Sequence, residues 1–221
     1  MARVVLIGGH GKVGLLATPK LVEAGHEVTS VFRDPSQHAA VAATGATPRL
    51  GDVEAMSTAA LADLLADHDV VVWSAGAGGG NPTRTYAVDR DAAIRSIEAA
   101  QEAGVPRYVM VSYLGAGADH GVAEDDPFFP YAESKAAADD YLRASGIAWT
   151  LVMPSTLTDD PSKGTVTPRA TESGPTSREL VADVIVAAVG ADTATVSRRE
   201  LKFTDGDIPI AEAMANRPSD A

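Results

Sequence analysis

The 221-residue chain contains no cysteine. Disulfides, a thiolate nucleophile and any cysteine-based metal site are excluded, and nothing demands an oxidising compartment. Basic residues are also in deficit: 18 lysines and arginines stand against 30 aspartates and glutamates, a formal net charge of −12. So acidic a chain repels a nucleic-acid backbone, and no nucleic-acid partner is expected. No apolar run approaches the ~20 residues of a membrane helix, so no membrane partner is expected either. The first strand-like run begins at about Arg3, which is expected to leave no room for a signal peptide and points to a cytoplasmic protein. The five histidines are scattered, and no His/Asp/Glu spacing resembles a metal site. Ser112 stands at a strand end without a G-x-S-x-G context, so a hydrolase elbow is unsupported.

What is present begins with Val4-Val5-Leu6-Ile7-Gly8-Gly9-His10-Gly11-Lys12-Val13-Gly14. An apolar run ends in glycines and passes into a helical pattern, which predicts a strand, a tight turn and a helix N-terminus. Gly9 is expected to turn the chain at φ angles barred to other residues. Gly11 lets the backbone approach phosphate oxygens, and Gly14 lets the helix pack on the strand. The helix start offers unpaired N–H groups and a positive dipole end to an anion. A glycine-rich turn with no ligand is the competing reading.

The rest of the chain alternates strands and helices. The first helix continues over residues 15–24, with Pro19 expected to kink it, and Gly25 ends it. Strands are predicted at 27–32, 47–50, 69–73, 107–112 and 149–153. Helices are predicted from 35 to 43, from a Ser57 cap to about 67, and over 88–103 and 131–144. This repetition predicts a Rossmann-type doubly wound α/β fold: a parallel sheet with helices on both faces, in one domain covering residues 1–221. Residues 115–130 and 158–176 read as loops. Ser177 caps a helix through 189, a strand is expected at 200–203, a short helix at 208–215, and fraying beyond Asn216.

Several residues carry candidate chemistry. Arg33 follows Phe32 at the end of the second strand, where a guanidinium suits the 2′-phosphate of NADP. A solvated arginine paired with Asp34 is the alternative. Asp52 follows the third strand and either accepts a hydrogen bond from an adenine amino group or forms a Gly-Asp turn. Ser74, Ala75 and Gly76 follow the fourth strand with little side-chain bulk, and His10 lies in the phosphate turn. Tyr131 and Lys135 are four apart on a predicted helix and share a face. A neighbouring ammonium lowers a phenol's pKa, making it a better proton donor to a carbonyl that receives hydride.

Taken together, these pieces resemble the short-chain dehydrogenase/reductase superfamily, in its atypical NAD(P)H-binding branch of NmrA-like and biliverdin reductase B/flavin reductase-like proteins. The resemblance rests on the Gly8 to Gly14 turn, Phe32-Arg33-Asp34-Pro35, Gly51-Asp52, Trp73-Ser74-Ala75-Gly76, Tyr108-Val109-Met110-Val111-Ser112, Tyr131-x-x-x-Lys135 and Leu151-Val152-Met153-Pro154. It implies bound NADP or NAD, with NADP preferred on the Arg33 reading, held by Gly8, Gly9, His10, Gly11, Lys12, Val13, Arg33, Asp52, Val53, Ser74, Ala75, Gly76, Lys135 and Pro154. It implies Tyr131 as proton donor, Lys135 as its electrostatic partner and Ser112 as the third member of the set. Strand five departs from the family's Ser-Ser ending by reading Ser112-Tyr113-Leu114, which places Ser112 early.

The leading functional expectation is an NADPH-dependent reductase of a small carbonyl, quinone or flavin-like substrate, acting as a monomer or homodimer. Its pocket is expected between loops 115–130 and 158–176. A non-catalytic NAD(P)-binding regulator or redox sensor is the alternative. A sugar-nucleotide epimerase or dehydratase is a weaker one, because such enzymes usually carry a larger C-terminal domain.

Overall fold

Short β-branched runs build the centre of the sheet. Val4 to Ile7, from strand β1 (Arg3–Ile7), and all of β4 (Val70–Trp73) are buried to 1% exposure or less. Burial of consecutive residues means both faces are covered, as in a parallel sheet between helix layers. In the computed structural model, which describes residues 1–216, the further strands are β2 (Glu27–Phe32), β3 (Thr47–Leu50), β5 (Arg107–Val111) and β6 (Ala148–Pro154). Beyond them lie β7 (Thr156–Thr158), β8 (Thr165–Pro168), β9 (Pro175–Ser177), β10 (Arg199–Asp205) and β11 (Ile208–Pro209).

The nine-stranded sheet runs β11-β8-β10-β6-β5-β4-β1-β2-β3. Every pairing from β3 across to β10 is parallel, whereas β8 pairs antiparallel with both β10 and β11. Strands β7 and β9 form a separate two-stranded parallel sheet. From β1 the chain first winds outward through β2 and β3, then returns to build β4, β5 and β6 on the other side. The reversal falls between β1 and β4, so their carboxyl ends leave a crevice for a ligand.

Helices α1 (Lys12–Glu23) and α7 (Arg178–Gly190) cover one face through Ala17, Leu21, Leu180 and Ile185. The other face carries α3 (Thr58–Leu65), α5 (Ala93–Glu102) and α6 (Phe129–Ala144), through Leu61, Leu65, Ile97 and Leu142. Helices α2 (His38–Ala42), α4 (Pro82–Thr85), α8 (Thr193–Val196) and α9 (Ile210–Ala215) are short. The fold is the single-domain α/β arrangement that the βα repetition predicts. Ser57 caps α3 by accepting from the Ala60 N–H, and Ser177 caps α7 by accepting from Glu179 and Leu180. Among the described residues no helix is long and apolar enough to cross a membrane. The expectation of fraying after Asn216 lies outside the described residues.

Three local expectations are corrected. The helix expected at 88–103 begins at Pro82 and passes through a π-helical stretch, Tyr86–Ala92, before α5. Asn81 starts it by accepting from the Arg84 N–H, a cap that lies upstream of the apolar periodicity. Loop 158–176 contains β8 and the start of β9; in β8 the alternation Thr165-Val166-Thr167 buries Val166 alone of the three. Residues 208 and 209 pair with β8 rather than opening the last helix. Helix α1, by contrast, runs through Pro19 to Glu23, close to the extent expected.

Candidate cofactor crevice and active site

The turn after β1 is built from backbone. Gly8, not Gly9, takes the left-handed conformation, with φ of +98°. A Cβ on Gly8 would lie 2.7 Å from the Ser74 and Ala75 backbone. Gly9 has another reason to be glycine: a Cβ there would meet Ser30 Oγ at 2.0 Å. This corrects the expectation that Gly9 makes the turn. Gly14 serves as predicted, since its Cβ would strike the Gly8 carbonyl oxygen at 2.3 Å and push α1 off the strand. Gly11 caps α1 without any side-chain hydrogen bond, so the first N–H groups of the helix have no side-chain acceptor.

A cavity of ≈ 230 Å³ lies against this turn. It brings together Gly8, His10, Gly11, Arg33, Asp52, Val53, Ser74, Ala75 and Gly76, all expected from sequence to touch a cofactor. Sequence reasoning missed Gln37, Glu54, Arg84 and Val88 in the same lining. Gly9, Lys12, Val13, Lys135 and Pro154 do not line it. Lys12 Nζ instead pairs with Asp159 at 2.9 Å, and Asp159 also accepts from Arg178 at 2.7 Å. The Lys12 hydrogen bond and the Arg178 charge hold the Asp159 carboxyl below its usual range.

At the rim, Asp34 turns its carboxylate onto the Ser36 N–H and hydroxyl, at 2.9 and 2.8 Å. These bonds lower its pKa and keep it from pairing with Arg33. The Arg33 guanidinium instead lies 3.8 Å from Glu54, which also accepts from Arg84 Nε at 3.2 Å. Asp52 uses one carboxylate oxygen in a turn, accepting the Glu54 N–H at 3.2 Å. A glycine floor, a helix start with no side-chain cap and two arginines at the rim suit the pyrophosphate and adenosine phosphate of a dinucleotide.

The second half of the site continues from Gly76. Asp89, on the π-helical stretch, is 2% exposed; its Oδ2 accepts the Ala77 N–H at 2.9 Å. Its Oδ1 lies 3.0 Å from where a Gly76 Cβ would stand. Burial raises the Asp89 pKa, opposed by the charge of Lys135, the Ala77 hydrogen bond and the charge of Arg84. Lys135 is itself 2% exposed, and its Nζ donates to the Val111 carbonyl at 2.6 Å. Asp139, one helical turn on, is fully buried and accepts the Ser112 hydroxyl at 2.5 Å. Burial pushes Asp139 up to about 6, against the pull of Lys135 and the Ser112 bond.

Tyr131 sits beside these carboxylates. Burial first, then the charges of Asp89 and Asp139, push its phenol pKa upward. The lowering expected from Lys135 is absent: its ammonium is bound to Val111 and flanked by the two carboxylates. Tyr131 packs on Tyr113 and Phe128, with centroids 5.5 and 5.1 Å away, and those two rings stand edge-on at 5.5 Å. The Tyr113 hydroxyl is buried without a hydrogen-bond partner among the described residues. Asp89 and Asp139 were missed from sequence, although each occupies a core-facing row of its helix. Asp139 is four residues past Lys135 and three before Leu142, on the buried face.

A glycine-floored crevice at the switch point of a doubly wound sheet defines a nucleotide-binding Rossmann protein. The chain belongs to the NAD(P)H-binding family, whose pattern it matches over residues 8–192. It is similar to YhfK of Bacillus subtilis (strain 168), named an uncharacterized sugar epimerase: 34% identity over 96% of this chain and 98% of that one. A solved Bacillus halodurans protein named for the NAD-dependent epimerases/dehydratases superposes with a TM-score of 0.85 at 28% identity, covering 97% and 99% of the two chains. ChuY of Escherichia coli O157:H7, named an anaerobillin reductase, shares the fold with a TM-score of 0.74 at 19% identity over 93% and 98%.

Proposed function

We propose that the protein is an NADPH-dependent reductase of a small carbonyl, quinone or flavin-like compound. One observation carries this reading. The crevice ends at Gly76, Gly76 abuts Asp89, and Asp89 shares its electrostatic surroundings with Tyr131 and Lys135. A nucleotide site therefore runs directly into a proton-bearing one. The choice of NADPH over NADH is supported by Arg33 at the rim and by the diversion of the Asp34 carboxylate onto Ser36.

Bound in the crevice, a reduced nicotinamide dinucleotide would supply a hydride. The chain's own residues would do the rest. Tyr131 stays protonated, since burial and then the nearby carboxylates oppose its ionisation; it is a weaker acid than a phenol paired with an ammonium, but it holds a proton to give. Its hydroxyl makes no hydrogen bond to protein among the described residues, which leaves it to a substrate oxygen. Lys135 is anchored by Val111 beside two carboxylates and offers a fixed positive charge. Tyr113 and Phe128 wall the position with aromatic surface, and segments 115–130 and 158–176 would complete the pocket.

The test is NADPH oxidation across a panel of carbonyls, quinones, flavins and one nucleotide sugar, the last because of the name YhfK carries. Tyr131→Phe is expected to slow carbonyl reduction by about 10²–10⁴-fold while leaving NADPH binding intact. An unchanged rate removes Tyr131 as proton donor. A second reading, a cofactor-binding regulator without turnover, is favoured by the Ser112 hydroxyl being given to Asp139. It predicts tight NADPH binding and no oxidation with any member of the panel.

A further inference from the structure

The crevice already holds an anion of its own. Glu54 Oε2 accepts from Arg84 Nε at 3.2 Å and lies 3.8 Å from the Arg33 guanidinium. The two arginines reach it from different elements, Arg33 from the end of β2 and Arg84 from α4. All three residues line the crevice. Arg84 is further fixed by Nη1, which donates to the Ala77 carbonyl at 2.6 Å. The Glu54 backbone is held from behind, its carbonyl accepting from Arg95 Nη2 at 3.0 Å. Backbone and guanidinium are thus anchored, while the Glu54 carboxylate stays about a third exposed and can swing away.

Two converging guanidiniums around one oxyanion are what a phosphate monoester also takes, through charge-assisted and often two-pronged bonds. We propose that Glu54 is an internal stand-in for the 2′-phosphate of NADP. It keeps Arg33 and Arg84 paired in the free protein and is displaced when the phosphate arrives, and Arg84 is then the second cation on that phosphate. The proposal rests on the NADPH reading above. NADH has no 2′-phosphate and leaves the Glu54 pairs intact. Glu54 therefore taxes NADPH alone and sets how strongly the protein prefers it.

The experiment is a titration of wild type, Glu54→Gln, Arg84→Ala and Arg33→Ala with NADPH and with NADH, read by nicotinamide fluorescence, with a melting curve for each variant. Glu54→Gln is expected to tighten NADPH by roughly threefold to tenfold and to leave NADH within about twofold. Arg84→Ala is expected to weaken NADPH by about tenfold and spare NADH. The proposal is overturned if Glu54→Gln leaves NADPH affinity unchanged. It is also overturned if that variant weakens NADH, because Glu54 would then be a ribose ligand. If wild type shows no NADPH preference and Arg33→Ala changes nothing, the cofactor reading fails and this proposal with it. If Arg33 confers the preference while the Glu54 and Arg84 variants bind both cofactors as wild type does, only the stand-in falls.

Discussion

Ser112 Oγ donates to Asp139 Oδ2 at 2.5 Å, and both residues are shut away from solvent. The bond joins the end of β5 to the middle of α6, next to Lys135. It also leaves Asp139 as a buried acid whose second oxygen has no hydrogen-bond partner among the described residues.

That acid should be visible in the pH dependence of stability. Its folded pKa of about 6 lies above the ~3.9 of an unfolded aspartate, so the folded state holds the proton more tightly. The stabilisation is complete below about pH 4, is lost as pH rises through 6, and amounts to about 3 kcal/mol. Asp139→Asn keeps an acceptor for Ser112 and has no proton to lose. Urea unfolding of both proteins from pH 4 to 7.5 should show the variant gaining on wild type with rising pH, then a plateau. A difference that is flat with pH contradicts the assignment.

Lys135 is the largest influence holding the Asp139 pKa down. Lys135→Met fills the same space without the charge. The Asp139 carboxyl should then titrate higher still, and the wild-type stability decline should move to higher pH. The same unfolding series checks it; an unmoved midpoint argues that the ammonium does not act on Asp139.

The two glycines of the phosphate turn should fail differently. Gly8→Ala places a side chain at a φ of +98°, 2.7 Å from backbone that cannot move aside, and should cost about 2 kcal/mol or more. Gly9→Ala meets Ser30 Oγ first, and that hydroxyl is buried without a partner. Adding Ser30→Ala should therefore recover part of the loss at Gly9 and none at Gly8. A thermal-melt double-mutant cycle measures both.

The glycine turn, the positions of the first six strands and most helix bounds were legible because each rests on a local pattern. Apolar runs end in glycine, and caps such as Ser57 and Ser177 sit one residue before their helices. Much of the crevice lining followed, since residues such as Arg33, Asp52 and Ser74 stand at strand ends that the topology gathers. What could not be read depends on contacts far apart in sequence. Glu54 meets Arg84 across 30 residues, and Ser112 meets Asp139 across 27. The π-helical stretch has no periodicity of its own in so short a run, yet it bears Asp89. The electrostatics of Tyr131 were misjudged for the same reason: Lys135 is visible four residues away, but Asp89 comes from another helix.

A crevice that takes a 2′-phosphate, as proposed, must tell NADPH from NADH. Parallel titrations of wild type and Arg33→Ala with NADPH and NADH test it most directly. Wild type is expected to bind NADPH at least about tenfold more tightly than NADH, and Arg33→Ala to lose this preference with NADH affinity unchanged. Equal affinity for the two cofactors in wild type would contradict it, and binding of neither would remove the cofactor reading altogether.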